Sequence, residues 1–171
     1  MKIIQKATQN QSQEIFALFQ ACAKHLQAQG ILQWDENYPT LAHVEAAIAT
    51  NSLFVFLENQ KLKGSISIDE NQDITYQNIL WKYPATKILV IHRLAVHPNF
   101  QRKGIAKKLM DFAENYAIQN QYEAIRLDAF SANERTLRFY RNRNYEENEK
   151  IYLNDNPIPC ICFEKRILSG E

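Results

Sequence analysis

The chain is short of the residues that force turns and staples: among 171 residues there are 4 glycines, 5 prolines and 3 cysteines. So few glycines exclude a glycine-rich low-complexity segment, and each glycine at a sensitive place needs its own explanation. Three cysteines, Cys22, Cys160 and Cys162, are too few and too odd in number for a disulfide scaffold and fit a reducing cytosol. Charge of one sign is also lacking: the formal net charge is +1, which disfavours a generic nucleic-acid binder. No apolar run reaches the roughly 18 residues of a membrane span. The opening Met1-Lys2-Ile3-Ile4-Gln5-Lys6 is too polar for a signal peptide. These absences predict a cytoplasmic, single-domain globular protein over 1–171.

What is present alternates between helical and extended periods. Residues 2–8 read as a short strand. Ser12 can cap a helix with Ile15, Leu18, Phe19, Cys22 and Leu26 on its apolar face, ended by Gly30. Thr40 starts a shorter helix. Leu53–Leu57 and Leu62–Ile68 read as a hairpin. Residues 69–86 form a polar, aromatic-punctuated stretch of a length often reserved for function. The apolar run 88–96 predicts a central strand. A helix over 104–120 follows, presenting Ile105, Leu109, Phe112 and Tyr116, then a strand at 124–130. Ser131-Ala132-Asn133-Glu134 reads as a capping box opening a helix through Arg143. Strands near 145–153 and 159–167 close the chain. Strand, helix and strand over 88–130 make a βαβ unit, so the expected fold is α/β (α+β) with a mixed sheet.

The strongest local signal is His97-Pro98-Asn99-Phe100-Gln101-Arg102-Lys103-Gly104-Ile105-Ala106. Arg102, Lys103, Lys107 and Lys108 crowd the start of a helix, where the macrodipole normally favours acids. Cations there make sense around an anion held by backbone N–H groups, although a solvated basic face gives the same pattern. One glycine is too few for a dinucleotide fingerprint, and the P-loop pattern is absent.

Gln101–Ala106 resembles the Q/R-x-x-G-x-G/A signature of the Gcn5-related N-acetyltransferase (GNAT) superfamily, with Arg93–Pro98 before it and Ile125–Asn133 and Phe139-Tyr140 downstream. The resemblance implies a twisted, mostly antiparallel sheet of about seven strands flanked by about four helices, splayed between its fourth and fifth strands. It implies acetyl-CoA as cofactor, its pyrophosphate cradled by the amides of Gln101, Arg102, Lys103, Gly104, Ile105 and Ala106. Leu94, Ala95 and Val96 would offer main-chain groups to pantetheine beside a bulge near Leu94 or Ala95. Asn133 would contact the cofactor, or simply cap its helix, and Tyr140 would protonate the departing thiolate. Where many members carry a carboxylate base, this chain has Val90, which leaves His92 as the candidate base. Asn144-Tyr145 replaces the family's Gly-Phe, and Asn tolerates the left-handed conformation needed there.

For the acceptor, Trp34 and Tyr38 could form an aromatic wall with Asp35 attracting an ammonium group, and Tyr76 and Trp81 could add to it. Packing is the competing role for each aromatic. Cys160-Ile161-Cys162 is a poor metal site and reads as apolar packing, so no metal is expected. The resulting expectation is an acetyl-CoA-dependent N-acetyltransferase acting on a small-molecule amine or a peptide through a ternary complex. A non-catalytic acyl-CoA-binding or sensor domain is the alternative, as is action on a protein N-terminus or aminoacyl-tRNA. The family also admits homodimers, for which the sequence offers no interface signal.

Overall fold

A computed structural model describes residues 1–168, and its strands follow one another in a seven-stranded mixed sheet of order β1-β2-β3-β4-β5-β7-β6. The strands are β1 (Lys2–Lys6), β2 (Leu53–Glu58), β3 (Lys61–Asp69), β4 (Ile88–Val96), β5 (Ala124–Phe130), β6 (Glu146–Ile151) and β7 (Cys160–Arg166). The helices are α1 (Ser12–Gln27), α2 (Leu41–Ala49), α3 (Ile105–Gln119) and α4 (Glu134–Asn142). The chain divides into two compact units, Met1–Ile68 with His92–Ala113, and Asp69–Ile91 with Glu114–Glu171. Among the described residues no helix is long and apolar enough to cross a membrane.

In the first unit, β1, β2 and β3 pair antiparallel, joined between β2 and β3 by a two-residue turn. Asn59 and Gln60 take φ of 52° and 64° there, the double left-handed turn that matches strand twist. Ile15, Leu18, Phe19, Cys22, Val44, Leu53, Val55 and Ala95 share one core, so α1, α2, β2, β3 and the end of β4 are buried together. Gly30, at φ 76°, ends the α1 segment as the sequence suggests. Gly64 does more than sit in a hairpin. A Cβ on it would lie 2.9 Å from the Ala95 carbonyl oxygen and 3.2 Å from side-chain atoms of Ile105 and Leu109, so only glycine lets these elements approach.

The buried stripe of α3 differs from the expected one. Ile105 and Leu109 are buried as anticipated, but Met110, Ala113 and Ala117 complete the stripe while Phe112 and Tyr116 are half-buried. Alanines at the contact allow close packing, and the larger rings move to its border.

In the second unit, β5 pairs antiparallel with β7 along its whole length, and β6 pairs with the far side of β7. The β4–β5 ladder is parallel and covers three pairs, Ile88↔Ala124 to Val90↔Arg126. Val90, Ile88, Tyr76, Ile79, Ile151 and Cys162 form the core of this unit. The 69–87 stretch is anchored by a buried ion pair. Arg126 Nε donates to Glu164 Oε1 at 3.2 Å, and Glu164 Oε2 accepts from the backbone N–H groups of Lys82 at 2.9 Å and Tyr83 at 3.3 Å. The same guanidinium donates to Gln72 Oε1 at 2.8 Å and lies 4.2 Å from the Trp81 ring centroid. With Arg126 Nη2 donating to the Tyr83 carbonyl at 3.4 Å, all three guanidinium nitrogens and both carboxylate oxygens have a partner, the condition under which a buried pair is tolerated.

Candidate functional site

The first unit holds the motif loop. Along β4 the continuous buried run Ile88–Ile91 gives way to three half-buried residues in succession, His92, Arg93 and Leu94. Arg93 takes φ 47°, a left-handed residue inside a strand, so the strand kinks one residue before the expected place. Its guanidinium donates to the Tyr38 hydroxyl at 3.2 Å. Ala95 turns back into the core, and the Val96 carbonyl accepts from the Cys22 thiol at 3.4 Å and Gln101 Nε2 at 3.1 Å. His97 Nδ1 accepts from Asn99 N–H at 3.2 Å, capping the one-turn 3-10 segment Pro98–Phe100.

Two left-handed residues then aim the chain into α3: Arg102 at φ 60° and Gly104 at φ 76°. Nothing lies within 4 Å of where a Gly104 Cβ would stand, so this glycine faces open space, unlike Gly64. The first-turn amides of α3 emerge at that place, as they do at any helix start. Lysines gather nearby, with the Nζ atoms of Lys61, Lys63 and Lys103 at 5.2, 4.5 and 5.4 Å from the Phe100 ring centroid. Lys63 and Lys2 pair with Glu58, whose carboxyl their hydrogen bonds hold down at about 2. A left-handed turn leading into a helix start beside lysines is the kind of place where an anion can be held.

Of the expected acceptor residues in this unit, Trp34 is a core residue. It is 8 % exposed and meets Phe19 edge-on at 5.5 Å, so it offers no wall to a ligand. Asp35 Oδ1 accepts from the backbone of Asn37 at 2.8 Å and of Tyr38 at 3.1 Å, which makes it a turn former. Tyr38 is half-buried against His43.

The second unit holds Tyr140, 5 % exposed on α4, with the rings of Phe139, Tyr145 and Phe163 at 5.3–5.8 Å. Burial first, then the charge of Asp128, raises its phenol well above the ordinary range, with Arg143 opposing. It therefore keeps its proton throughout the physiological range. Asn133 is the N-cap of α4, its side chain accepting from Thr136 N–H at 3.3 Å, and Ser131 stands outside the helix start. Asn144, at φ 64°, ends α4 in the left-handed conformation anticipated from its type. Tyr76 and Trp81 are packing residues: Tyr76 is 2 % exposed, and the Trp81 indole donates to its carbonyl at 3.0 Å beneath Arg126.

Sequence reasoning missed Asp128. Six of the seven residues of β5 are buried and Asp128 is the half-exposed one. Its Oδ2 accepts from the Tyr76 hydroxyl at 2.6 Å, and the Cys160 thiol hydrogen-bonds to it as well. The signal was available: an acid in an apolar strand needs a partner or a purpose.

With this geometry established, comparison with known proteins decides the family. The family model for the acetyltransferase (GNAT) family matches residues 13–145. The chain belongs to the GNAT family. A Streptococcus agalactiae GNAT-family acetyltransferase superposes with a TM-score of 0.84 at 19 % identity, covering 96 % of this chain and 95 % of that one. A Staphylococcus aureus Mu50 protein described as an acetyltransferase gives 0.76 at 25 % identity over 97 % and 99 % of the two chains. Ard1 from Thermoplasma volcanium gives 0.76 at 16 % identity, covering 98 % of each. No curated protein sequence gives a significant match. GNAT members generally use acetyl-CoA, and the open turn at Gly104 is compatible with its diphosphate.

Proposed function

We propose that this GNAT protein is an acetyl-CoA-dependent N-acetyltransferase that moves an acetyl group directly to the primary amine of a small molecule or peptide. The observation that carries the reading is Gly104: φ 76° and an empty Cβ direction at the start of α3, directly after left-handed Arg102. A family match spanning residues from both units supports treating 1–171 as one catalytic domain.

Acetyl-CoA, when bound, supplies an activated acetyl thioester. The amides of Gln101 to Ala106 would hold its diphosphate, with Arg102 and Lys103 adding charge. Main-chain groups of Leu94, Ala95 and Val96, beyond the Arg93 kink, would pair with the pantetheine arm. One N–H there would polarise the carbonyl under attack. Tyr140 would give its proton to the departing thiolate, and His92 would take one from the amine. Asn133 would act at the cofactor only through what its capping role leaves available.

The test is thiol release from acetyl-CoA across amines, amino acids, polyamines and peptides. Turnover with at least one class supports the reading. Acetyl-CoA binding without thiol release from any of them would instead establish a binding or sensor domain.

A further inference from the structure

Among the described residues, Arg93, Arg126 and Arg143 are the arginines drawn in from the surface. Arg126 is paired with Glu164, and Arg143 with Glu114 at 3.0 Å, as a cation leaving water requires. Arg93 has no such carboxylate. Among the described residues its guanidinium has one hydrogen-bond partner, the Tyr38 hydroxyl at 3.2 Å. Asp35, the acid of the Tyr38 turn, faces the backbone N–H groups of Asn37 and Tyr38 instead. The backbone is unusual at the same residue, since φ 47° is a strained conformation for an arginine inside a strand. On α2, His43 meets the Tyr38 ring edge-on at 4.9 Å, and its Nδ1 accepts from Thr40 N–H at 3.0 Å. Burial, then the Arg93 charge, hold this imidazole below its usual value, so it adds no second positive charge.

The sheet below supplies polar atoms that the core leaves unexplained. Ser65 and Ser67 pair across the strands with Val55 and Leu53, so they share the face that α1 and α2 cover. Both hydroxyls are buried and have no hydrogen-bond partner among the described residues. The Lys63 carbonyl accepts from His97 N–H at 2.9 Å, and Gly64 lies against the Ala95 carbonyl. Ser65 and Ser67 therefore run back alongside the kinked part of β4. Orphaned hydroxyls on that face are satisfied when a polar group binds there with its water.

We propose that Arg93, oriented by Tyr38, binds the carboxylate of an acceptor molecule and so selects acceptors that carry one. A guanidinium presents five N–H donors in a planar fork, and Tyr38 takes one of them. A carboxylate matches the rest with two oxygens in one plane. The Tyr38 hydroxyl, having accepted from Arg93, still has its own proton to donate to the same group. One fork with one charge suits a monoanion, whereas a phosphate dianion calls for further cations that His43 does not supply. Arg93 directly precedes Leu94, Ala95 and Val96, whose main chain would hold the pantetheine arm, so the carboxylate would dock beside the acetyl group. This selectivity rests on the acetyltransferase reading for its purpose; the binding itself does not.

Ligand-observed NMR on the full chain tests it. The probes are N-acetylglycine and N-acetylleucine, each beside its uncharged amide, with inorganic phosphate as a competing anion. At least one carboxylate is expected to bind wild type about tenfold to a hundredfold more tightly than its amide. Arg93→Gln is expected to erase that preference, and Arg93→Lys to keep part of it, because the charge stays without the fork. Tyr38→Phe is expected to weaken the carboxylates less than Arg93→Gln does. Where neither Arg93 variant folds, the arginine Nε–H signals of isotope-labelled wild type decide, since one must shift with carboxylate and hold still with amide. No preference in wild type, a preference that survives Arg93→Gln, or displacement of the carboxylates by phosphate at equal concentration would each overturn the proposal. With free amino acids and their amides as acceptors, Arg93→Gln should raise KM for the acids alone, a split that a purely structural role does not produce. Thiol release indifferent to the carboxylate fails the proposal alone, and carboxylate binding at Arg93 without thiol release fails the acetyltransferase reading alone.

Discussion

The motif loop of the first unit and the Asp128 corner of the second are built from different materials. The loop is main chain: left-handed Arg93, Arg102 and Gly104, and the amides that begin α3. Its side chains serve mostly to fix the turn, as Gln101 does on the Val96 carbonyl. The corner is side chain throughout: sheet register sets Asp128 beside Cys160, and the 3-10 turn Ile74–Asn78 brings Tyr76 to them. A main-chain site should tolerate truncation and fail only when its dihedral angles change. A side-chain site should fail atom by atom.

The sharpest way to break that contrast is Gly104→Val. A branched residue at φ 76° carries strain of about 1–2 kcal/mol and puts atoms where the diphosphate would lie, so acetyl-CoA affinity should fall by more than about a hundredfold. Thermal unfolding should fall by only about 2–8 °C, and calorimetric titration beside a melt would show whether the loss of binding exceeds the loss of stability. Gly64→Ala is the counterpart. Its Cβ would press on the Ala95 carbonyl, costing about 1–3 kcal/mol of stability by denaturant titration. Acetyl-CoA affinity of the folded fraction should persist.

On the side-chain half, Tyr140→Phe should lower kcat by about a hundredfold with acetyl-CoA affinity unchanged. An unaltered kcat removes Tyr140 from the mechanism. His92→Ala should cost about tenfold near neutral pH and less in alkali, where free amine needs no base; a profile parallel to wild type rejects it as base. The smallest effect concerns the thiols. Burial raises Cys22 and Cys160 from 9 to about 12, so at pH 8 each has about a thousandfold less thiolate than an exposed cysteine. Alkylation of the folded chain should be slow to match, and Asp128→Asn should speed Cys160 while leaving Cys22 alone. The sign for stability follows. The folded thiols keep protons that the unfolded chain releases above pH 9, so stability declines as pH rises from there.

The contrast also explains what was legible beforehand. Strands β4 and β5 were located to the residue because their apolar runs end at turn formers. The loop was legible because a main-chain site leaves its mark in glycine position and local spacing. Asp128 was not, since its partner Tyr76 lies 52 residues away on the 3-10 turn Ile74–Asn78, and only the folded path of the 69–87 stretch brings the two together. Trp34 departs from expectation for a related reason: an aromatic beside acids suggests a pocket wall, but Phe19, 15 residues earlier on α1, packs edge-on against it in the core. The α3 stripe departs from its periodicity because large rings do not have to be the most buried residues: Ala113 and Ala117 are fully buried, while Phe112 packs on Phe54 from the border.

The Arg126–Glu164 clasp makes the 69–87 stretch an all-or-none latch. Glu164 holds Lys82 and Tyr83 by their amides, while Arg126 holds Gln72, the Tyr83 carbonyl and the face of Trp81. Neither the Lys82 nor the Tyr83 peptide can loosen without taking a hydrogen bond from the buried Glu164 carboxylate, at a cost of about 1.5–3 kcal/mol. Deuterium should therefore enter the amides of Lys82 and Tyr83 at one shared rate, and a protease should cut this stretch in a single burst or leave it whole.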